Sequence, residues 1–246
     1  MLIKRIFQQM NNSLKRRCIF LLLIVIGSIS APSQNRILRF ENKELELKNV
    51  TASVVVVNGQ SVLKVERDLN LLPFDTSRLE STVDEPTYVK LKDINFQNGS
   101  IEVKMLSQIQ KPSPFAQAQG FIGVAFRISP NDTAFESIYL RPRVGRSDNQ
   151  MFRNHTVQYY SYPHFKFQTL RKLAPELYET SAPVSLDEWI TFRIEVKNQK
   201  ADLFINNAKY STLIVSPLIG STKNGSIALW VDIGTIGYFK DIKISN

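Results

Sequence analysis

Residues 52–66 read ASVVVVNGQSVLKVE, two runs rich in β-branched residues on either side of Asn58-Gly59. Valine fits the surface of a pleated sheet, and Asn-Gly tolerates the positive φ angles of a two-residue turn. The stretch therefore predicts a β-hairpin. Asn98-Gly99 stands in the same way between YVKLKDINF and SIEVKML, which predicts a second turn between two strands.

The remaining chain continues this strand pattern. In residues 189–197, WITFRIEVK, apolar and polar residues alternate, as in an antiparallel strand with one buried face. Residues 120–129, GFIGVAFRIS, are apolar on both faces and predict a central strand. Residues 69–86 and 110–119 contain prolines and polar residues typical of loops. We therefore predict one all-β domain, a two-sheet antiparallel β-sandwich of jelly-roll type.

The first 34 residues have the composition of a cleaved signal peptide. A basic triplet, residues 15–17, precedes the short apolar run CIFLLLIVI and several small residues. This run is shorter than the roughly 20 residues that span a bilayer. We expect a mature domain of residues 35–246 that is secreted or periplasmic, with an uncleaved anchor as the alternative. The single cysteine, Cys18, would be removed, so no disulfide is expected.

The charge of the mature chain is modest. Removing the five basic residues of the signal peptide leaves 26 basic and 22 acidic residues, a net charge of +4. Such a surface attracts anions weakly, and no nucleic-acid-binding motif is present. We expect neither a nucleic-acid partner nor a membrane partner after cleavage, and the oligomeric state stays open.

Metal and cofactor motifs are missing from the sequence. The two histidines, His155 and His164, show no metal-binding spacing, so no cofactor is expected, although a structural calcium ion bound by loop oxygens stays possible. The carboxylates of Glu44 and Glu46 alternate along one charged segment that reads as a solvated edge strand. No E-x-D-x-x-E run occurs.

One polar run combines the groups that a sugar site needs. Residues 139–160 read YLRPRVGRSDNQMFRNHTVQYY. Aromatic rings stack on the C–H face of a sugar, and Arg, Asp, Asn and Gln bind hydroxyl or carboxylate groups. The alternative is a salt-bridged loop with cross-strand tyrosine packing. The predicted ligand-binding residues are Arg127, Tyr139, Arg141, Arg146, Asp148, Asn154, His155, Gln158 and Tyr160.

Several strands together resemble a known group of bacterial proteins. FIGVAFRI, LDEWITFRIEVKN, ADLFINN and the C-terminal GSIALWVDIGTIGYFKDIKI are similar to the concanavalin A-like lectin/glucanase superfamily, in particular its laminin-G-like and 3-keto-disaccharide-hydrolase-like domains. The resemblance begins near Tyr88. It implies a jelly-roll sandwich whose concave sheet contacts carbohydrate. The glutamate pair of the glucanase members and the Arg and Gln-His motifs of the alginate-lyase-like members have no match here.

Three functions are consistent with these observations. The first is a carbohydrate-recognising domain, with acidic glycans as a candidate ligand class. The second is a glycoside hydrolase-like enzyme in which Asp148 or His155 acts as general base. The third is a non-catalytic protein-interaction module that uses solvent-facing aromatic residues, namely Phe152, Tyr159, Tyr162 and Phe165.

Overall fold

Two antiparallel sheets stack on each other and form the predicted jelly-roll β-sandwich. The computed structural model describes residues 36–245. The predicted signal peptide, with its cleavage point, lies outside the described residues. The prediction of an all-β fold of two antiparallel sheets is thus confirmed.

The larger sheet has eight strands in the spatial order β1-β2-β5-β14-β7-β8-β9-β10. These strands are β1 (Ile37–Phe40), β2 (Lys43–Lys48), β5 (Tyr88–Leu91), β7 (Ile122–Ile128), β8 (Phe135–Leu140), β9 (Val157–Tyr162), β10 (Glu179–Thr180) and β14 (Ser226–Val231). The predicted central strand is β7, which lies between β14 and β8 and is buried along its whole length.

The smaller sheet has seven strands in the order β13-β12-β11-β6-β15-β4-β3. These are β3 (Val50–Val57), β4 (Gln60–Arg67), β6 (Gly99–Ile109), β11 (Ile190–Lys197), β12 (Lys200–Ile205), β13 (Leu213–Val215) and β15 (Thr235–Ser245). Three short α-helices lie in the connections: α1 (Leu79–Thr82), α2 (Gln150–Asn154) and α3 (Phe167–Leu173). The alternation predicted for β11 is confirmed, because its apolar residues are buried and its polar residues are partly or fully exposed.

The core lies between the two sheets. Gly237 of β15 faces Val231 and Ile122 of the larger sheet so closely that a Cβ there would lie 2.5 Å from Val231 Cγ1. Leu140 pairs with Ile122 and points to the same side. The residues that alternate with these, such as Tyr139, therefore point away from the smaller sheet.

This outer face of the larger sheet carries an aromatic cluster. Tyr139 pairs with Gly123, and Gly123 pairs with Trp230 on the next strand. Because glycine leaves the space between them free, the rings of Tyr139 and Trp230 approach to a centroid distance of 4.9 Å. Tyr160 packs against both rings. All three aromatic side chains are buried although they face away from the core.

Two connecting segments bury this face, and we call them the covering layer: residues 68–86, which contain α1, and residues 163–178, which contain α3. Trp230 Nε1 donates a hydrogen bond of 2.8 Å to the carbonyl of Glu85. The Glu85 carboxylate binds Lys166 Nζ, which joins the two segments. The part of the larger sheet that carries the aromatic cluster is thus enclosed by the core on one side and by the covering layer on the other.

The hairpin predictions have different outcomes. Asn58 and Gly59 have φ angles of 50° and 77° and connect β3 to β4, so the first hairpin is confirmed. The second prediction is wrong, because β5 and β6, on either side of Asn98-Gly99, belong to different sheets. Asn98 instead accepts a hydrogen bond of 2.7 Å from the backbone N–H of Asn198.

Among the described residues, no helix is both long and apolar enough to cross a membrane.

Candidate functional site

A cavity of about 240 Å³ opens between the covering layer and one end of the outer face. Its wall combines apolar rings with a few charged groups that come from distant parts of the chain. The lining residues are Leu79, Val83, Asp84, Phe115, Gln117, Gln119, Phe121, Tyr139, Arg141, Val144, Phe152, His155, Phe167, Arg171 and Asp232.

Arg141 supplies a buried positive charge to this cavity. It follows β8 directly, and its Nη1 donates to the carbonyl of His155 at 2.7 Å while Nη2 donates to the hydroxyl of Tyr139 at 2.6 Å. Within residues 36–245, no carboxylate lies within 4.0 Å of its guanidinium group. Burial lowers the pKa of Arg141 from its ordinary value. Of its five N–H groups, three remain for a ligand.

Asp84 lies in the same cavity. Its Oδ2 accepts the backbone N–H of Phe167 at 2.9 Å, and no described residue donates to Oδ1. Burial raises the pKa of Asp84 from 3.8 to about 6, and the nearby carboxylate of Asp232 adds to this effect. A carboxyl group with this pKa exchanges a proton near neutral pH and can act as an acid or a base.

Asp232 and Arg67 form the fixed wall behind Asp84. Arg67 Nη1 binds Asp232 Oδ1 at 2.7 Å and also donates to the carbonyl of Thr82 at 2.6 Å. Asp232 Oδ2 accepts the backbone N–H of Asp84 at 3.0 Å. Since both side chains of the ion pair are almost fully buried, the pair fastens the first covering segment to the sheet.

His155 forms another part of the wall. It caps the C-terminal end of α2, and its Nδ1 lies 2.8 Å from Glu179 Oε2. Arg171 Nε donates to the same carboxylate oxygen at 2.8 Å. The contact between His155 Nδ1 and Glu179 lacks hydrogen-bond geometry, and the buried Nδ1 has no hydrogen-bond partner among the described residues.

Aromatic rings form the apolar part of the cavity. The Phe167 ring lies between two guanidinium groups, 5.2 Å from that of Arg141 and 5.0 Å from that of Arg171. Phe121 contacts the edge of Tyr139. Phe152 on α2 is 52% exposed and forms part of the rim. A ligand that entered would contact ring faces as well as charged groups.

Comparisons with known proteins reveal only distant likenesses. No protein-family model matches the chain, and no curated protein matches it. The carbohydrate-binding module CBM66 from Bacillus subtilis aligns with a TM-score of 0.49 and 8% identity over 81% of this chain and 97% of that one. A Bacillus licheniformis β-glucanase aligns at 0.43 and 10%, over 80% of this chain and 82% of that one.

A third similar structure is a Bacillus subtilis protein of unknown function with a galectin-like fold. It has a TM-score of 0.44 and 10% identity, over 80% of this chain and 86% of that one. With TM-scores below 0.5, these likenesses carry no argument about function. The laminin-G-like and 3-keto-disaccharide-hydrolase-like subgroup stays a prediction.

The structure brings together only some of the predicted ligand-binding residues. Tyr139, Arg141 and His155 line the cavity. Tyr160 is buried in the aromatic cluster beside Tyr139. Gln158 is buried as well, and its Nε2 donates to the backbone carbonyls of Tyr159 and Tyr178.

The other predicted residues lie elsewhere. Arg127 is buried towards the far end of β7, where its guanidinium group donates to the carbonyls of Gln97 and Asn198. Arg146 makes a bidentate ion pair with Glu188 at 2.6 and 2.8 Å. Asp148 and Asn154 are exposed and lie outside the cavity lining. Of the two catalytic candidates, only His155 reaches the cavity.

The aromatic residues of the interaction hypothesis are mostly covered. Tyr159 is fully buried, and its hydroxyl binds the Glu136 carboxylate and accepts the backbone N–H of Ile219. Tyr162 and Phe165 pack partly buried against the core. The expectation of four solvent-facing rings was wrong because β9 turns Tyr159 towards the core; only Phe152 among the four is exposed.

Sequence reasoning missed Asp84, Asp232 and Arg67. Asp232 directly follows the strand SIALWV, and Arg67 is the last residue of β4, so each is a charge at the end of a strand. A charged residue at the end of a strand is the sequence pattern that could have pointed to Asp232 and Arg67. Their partnership joins residues 165 positions apart, which no local pattern indicates.

Proposed function

We propose that this protein recognises carbohydrate and that the cavity binds the acidic end residue of a glycan. The observation that carries the proposal is Arg141, a buried guanidinium group that lines an apolar cavity and has no carboxylate partner among the described residues. A buried charge with no carboxylate in direct contact is costly, and an anionic ligand bound to it would reduce that cost.

The chemistry of the wall favours a sugar carboxylate or sulfate. A guanidinium group binds both in bidentate fashion. The exposed ring of Phe152 can stack on the C–H face of a pyranose, and Gln117 and Gln119 offer amides for its hydroxyl groups. Pockets for drug-sized ligands measure about 300–1,000 Å³. A cavity of about 240 Å³ therefore suits one sugar residue, the end of a chain.

The N-terminal sequence supports the same proposal. If residues 1–34 act as a signal peptide, the domain reaches the periplasm or the exterior, where polysaccharides are accessible. Export is tested by N-terminal sequencing of the protein recovered from secreted and periplasmic fractions, where we expect a chain that begins near residue 35. Recovery of the intact N-terminus from the cytoplasm would contradict export.

The ligand proposal is tested with glucuronate and glucose, which differ at a single position, carboxylate against hydroxymethyl. We expect calorimetric titration to detect binding of glucuronate and much weaker binding of glucose. Arg141→Gln should weaken glucuronate binding at least tenfold, because the charged hydrogen bonds are lost. Arg146→Gln is the matched control, since its ion pair lies outside the cavity. Equal binding of both sugars, or an unchanged affinity in Arg141→Gln, would refute the proposal.

A second candidate is a glycoside-cleaving enzyme, and the position of Asp84 favours it. Asp84 and His155 line one cavity, so a proton could pass to a glycosidic oxygen from one while the other takes a proton from water. Release of reducing ends from uronate-containing oligosaccharides, abolished in Asp84→Asn and retained in Asp148→Asn, would select the enzyme. Binding without release would select the recognition domain.

A further inference from the structure

A second hollow lies on the other side of His155. It is a groove of about 300 Å³ whose wall is formed by α2, the turn after α3 and strand β10. Its lining residues are Met151, Asn154, His155, Glu176, Glu179, Thr180 and Ser181. Because His155 also lines the cavity, the two hollows are neighbours that share one side chain as a wall.

The groove differs from the cavity in chemistry. It is lined by hydroxyl, amide and carboxylate groups and has no phenylalanine or tyrosine ring, whereas such rings form a large part of the cavity wall. Asn154 Oδ1 accepts from Gln150 Nε2 at 2.7 Å, which leaves the amide nitrogen of Asn154 available as a donor. Across residues 36–245, no hydrogen-bond partner approaches the side chains of Glu176, Thr180 or Ser181. These groups can therefore meet the hydroxyl groups of a ligand without first losing a protein partner.

The charge of the groove is also distinct. Glu179 is paired with Arg171, whereas Glu176 forms no ion pair with any described residue. Glu176 has a φ of 64°, a left-handed conformation that residues with a branched or long side chain seldom adopt. Glu176 thus lines the groove as an exposed carboxylate without an ion-pair partner among the described residues.

We infer that the groove is a second subsite, which holds a neutral sugar next to the acidic residue in the cavity. The inference rests on the proposed function. The glycan passes from the cavity over His155, and its second residue donates hydroxyl groups to Glu176 and accepts from Asn154. It also shares hydrogen bonds with the hydroxyl groups of Thr180 and Ser181, which line the same groove. A second uronate would place its carboxylate beside that of Glu176, and like charges repel. The preferred ligand is therefore an acidic residue joined to a neutral one.

The test compares three classes of ligand by calorimetric titration of the full chain: glucuronate, the two glucuronate–glucose disaccharides that differ in linkage order, and diglucuronate. We expect the better of the two mixed disaccharides to bind about tenfold more tightly than glucuronate, the gain of one or two net hydrogen bonds. Diglucuronate should show no such gain. Glu176→Gln should reduce the discrimination against diglucuronate, and Thr180→Ala/Ser181→Ala should remove the disaccharide gain while leaving glucuronate affinity unchanged.

The possible results distinguish failure of the second subsite from failure of the proposed function. Asp148→Asn serves as the control, because it removes an exposed carboxylate that lines neither hollow. If glucuronate binds through Arg141 but no mixed disaccharide gains affinity, the subsite is refuted and the proposed function stands. If the groove variants weaken glucuronate as much as the disaccharide, the subsite is also refuted. Failure of all three classes of ligand to bind would overturn both.

Discussion

At the scale of single residues, the cavity is built from groups whose burial is costly when no ligand is present. Arg141 is a cation without a carboxylate partner among the described residues, and Asp84 is a carboxyl group whose pKa is raised by burial. Natural proteins retain such groups where a function requires them. Asp84 allows this cost to be measured directly.

Asp84→Asn should stabilise the protein at neutral pH. The pKa of Asp84 is about 6 in the folded protein, against an ordinary value of 3.8. The contribution of Asp84 to the free energy of unfolding is therefore most favourable below pH 3.8 and is lost as the pH rises through 6. The full difference corresponds to about 3 kcal/mol. Asparagine can still accept the Phe167 N–H but never ionises. In urea unfolding at pH 7.5, the variant should be more stable than wild type by about 1–3 kcal/mol. This difference in the free energy of unfolding should become smaller towards pH 4.

The control for this experiment is Asp148→Asn, which alters an exposed carboxyl group. Its stability relative to wild type should not change with pH in the way that Asp84→Asn does. A gap for Asp84→Asn that is constant from pH 7.5 to pH 4 would show that Asp84 is not the titrating group.

At the scale of elements, the covering layer depends on a small number of buried polar contacts. The ion pair of Arg67 and Asp232 fastens residues 68–86, and the N–H of Phe167 bound to Asp84 fastens the second segment to the first. Trp230 Nε1 and the Glu85 carbonyl add a third contact. Since the cavity lies between this layer and the sheet, the same contacts determine its shape.

Breaking the buried ion pair should cost far more than breaking an exposed one. Arg67→Ala leaves Asp232 buried without its cation, and such losses amount to about 3–5 kcal/mol. Arg39→Ala removes an equally short but exposed pair with Glu44 and should leave the urea midpoint nearly unchanged. The double variant Arg67→Met/Asp232→Asn should recover part of the loss, because no unpaired charge remains. Equal midpoints for Arg67→Ala and Arg39→Ala would contradict the role given to the pair.

At the scale of the whole molecule, the sequence predicted the sandwich but not the layer that covers it. Alternation along β11 and the Asn58-Gly59 turn are local patterns, and both predicted their elements correctly. The outward direction of Tyr139 and Arg141 was also readable from β8. Their burial was not, because the covering segments come from residues about 55 positions before and 25 positions after them.

The same reason explains which site residues were found. Tyr139, Arg141 and His155 belong to one connected polar run, so composition pointed to them. Composition also pointed to Arg127 and Arg146, whose guanidinium groups are used by backbone carbonyls and by Glu188. Whether an arginine has N–H groups left for a ligand depends on its neighbours in the folded protein. Those neighbours are distant in the sequence, so no local sequence pattern indicates them.

The layered arrangement predicts two levels of stability within one chain. The sandwich is held by continuous strand ladders, whereas the covering layer is held mainly by the few contacts described above, so the layer should open first. In hydrogen exchange followed by mass spectrometry, peptides from residues 74–86 and 163–178 should exchange faster than peptides from β7 and β14.

Glucuronate at 100 times its Kd should slow amide exchange in the covering layer by about 100-fold, because opening of the layer destroys the cavity that binds the sugar. The β3–β4 hairpin, remote from the cavity lining, should show no comparable change. Identical exchange rates in the covering layer and the sandwich would mean that they unfold as one unit and that the layer does not open separately.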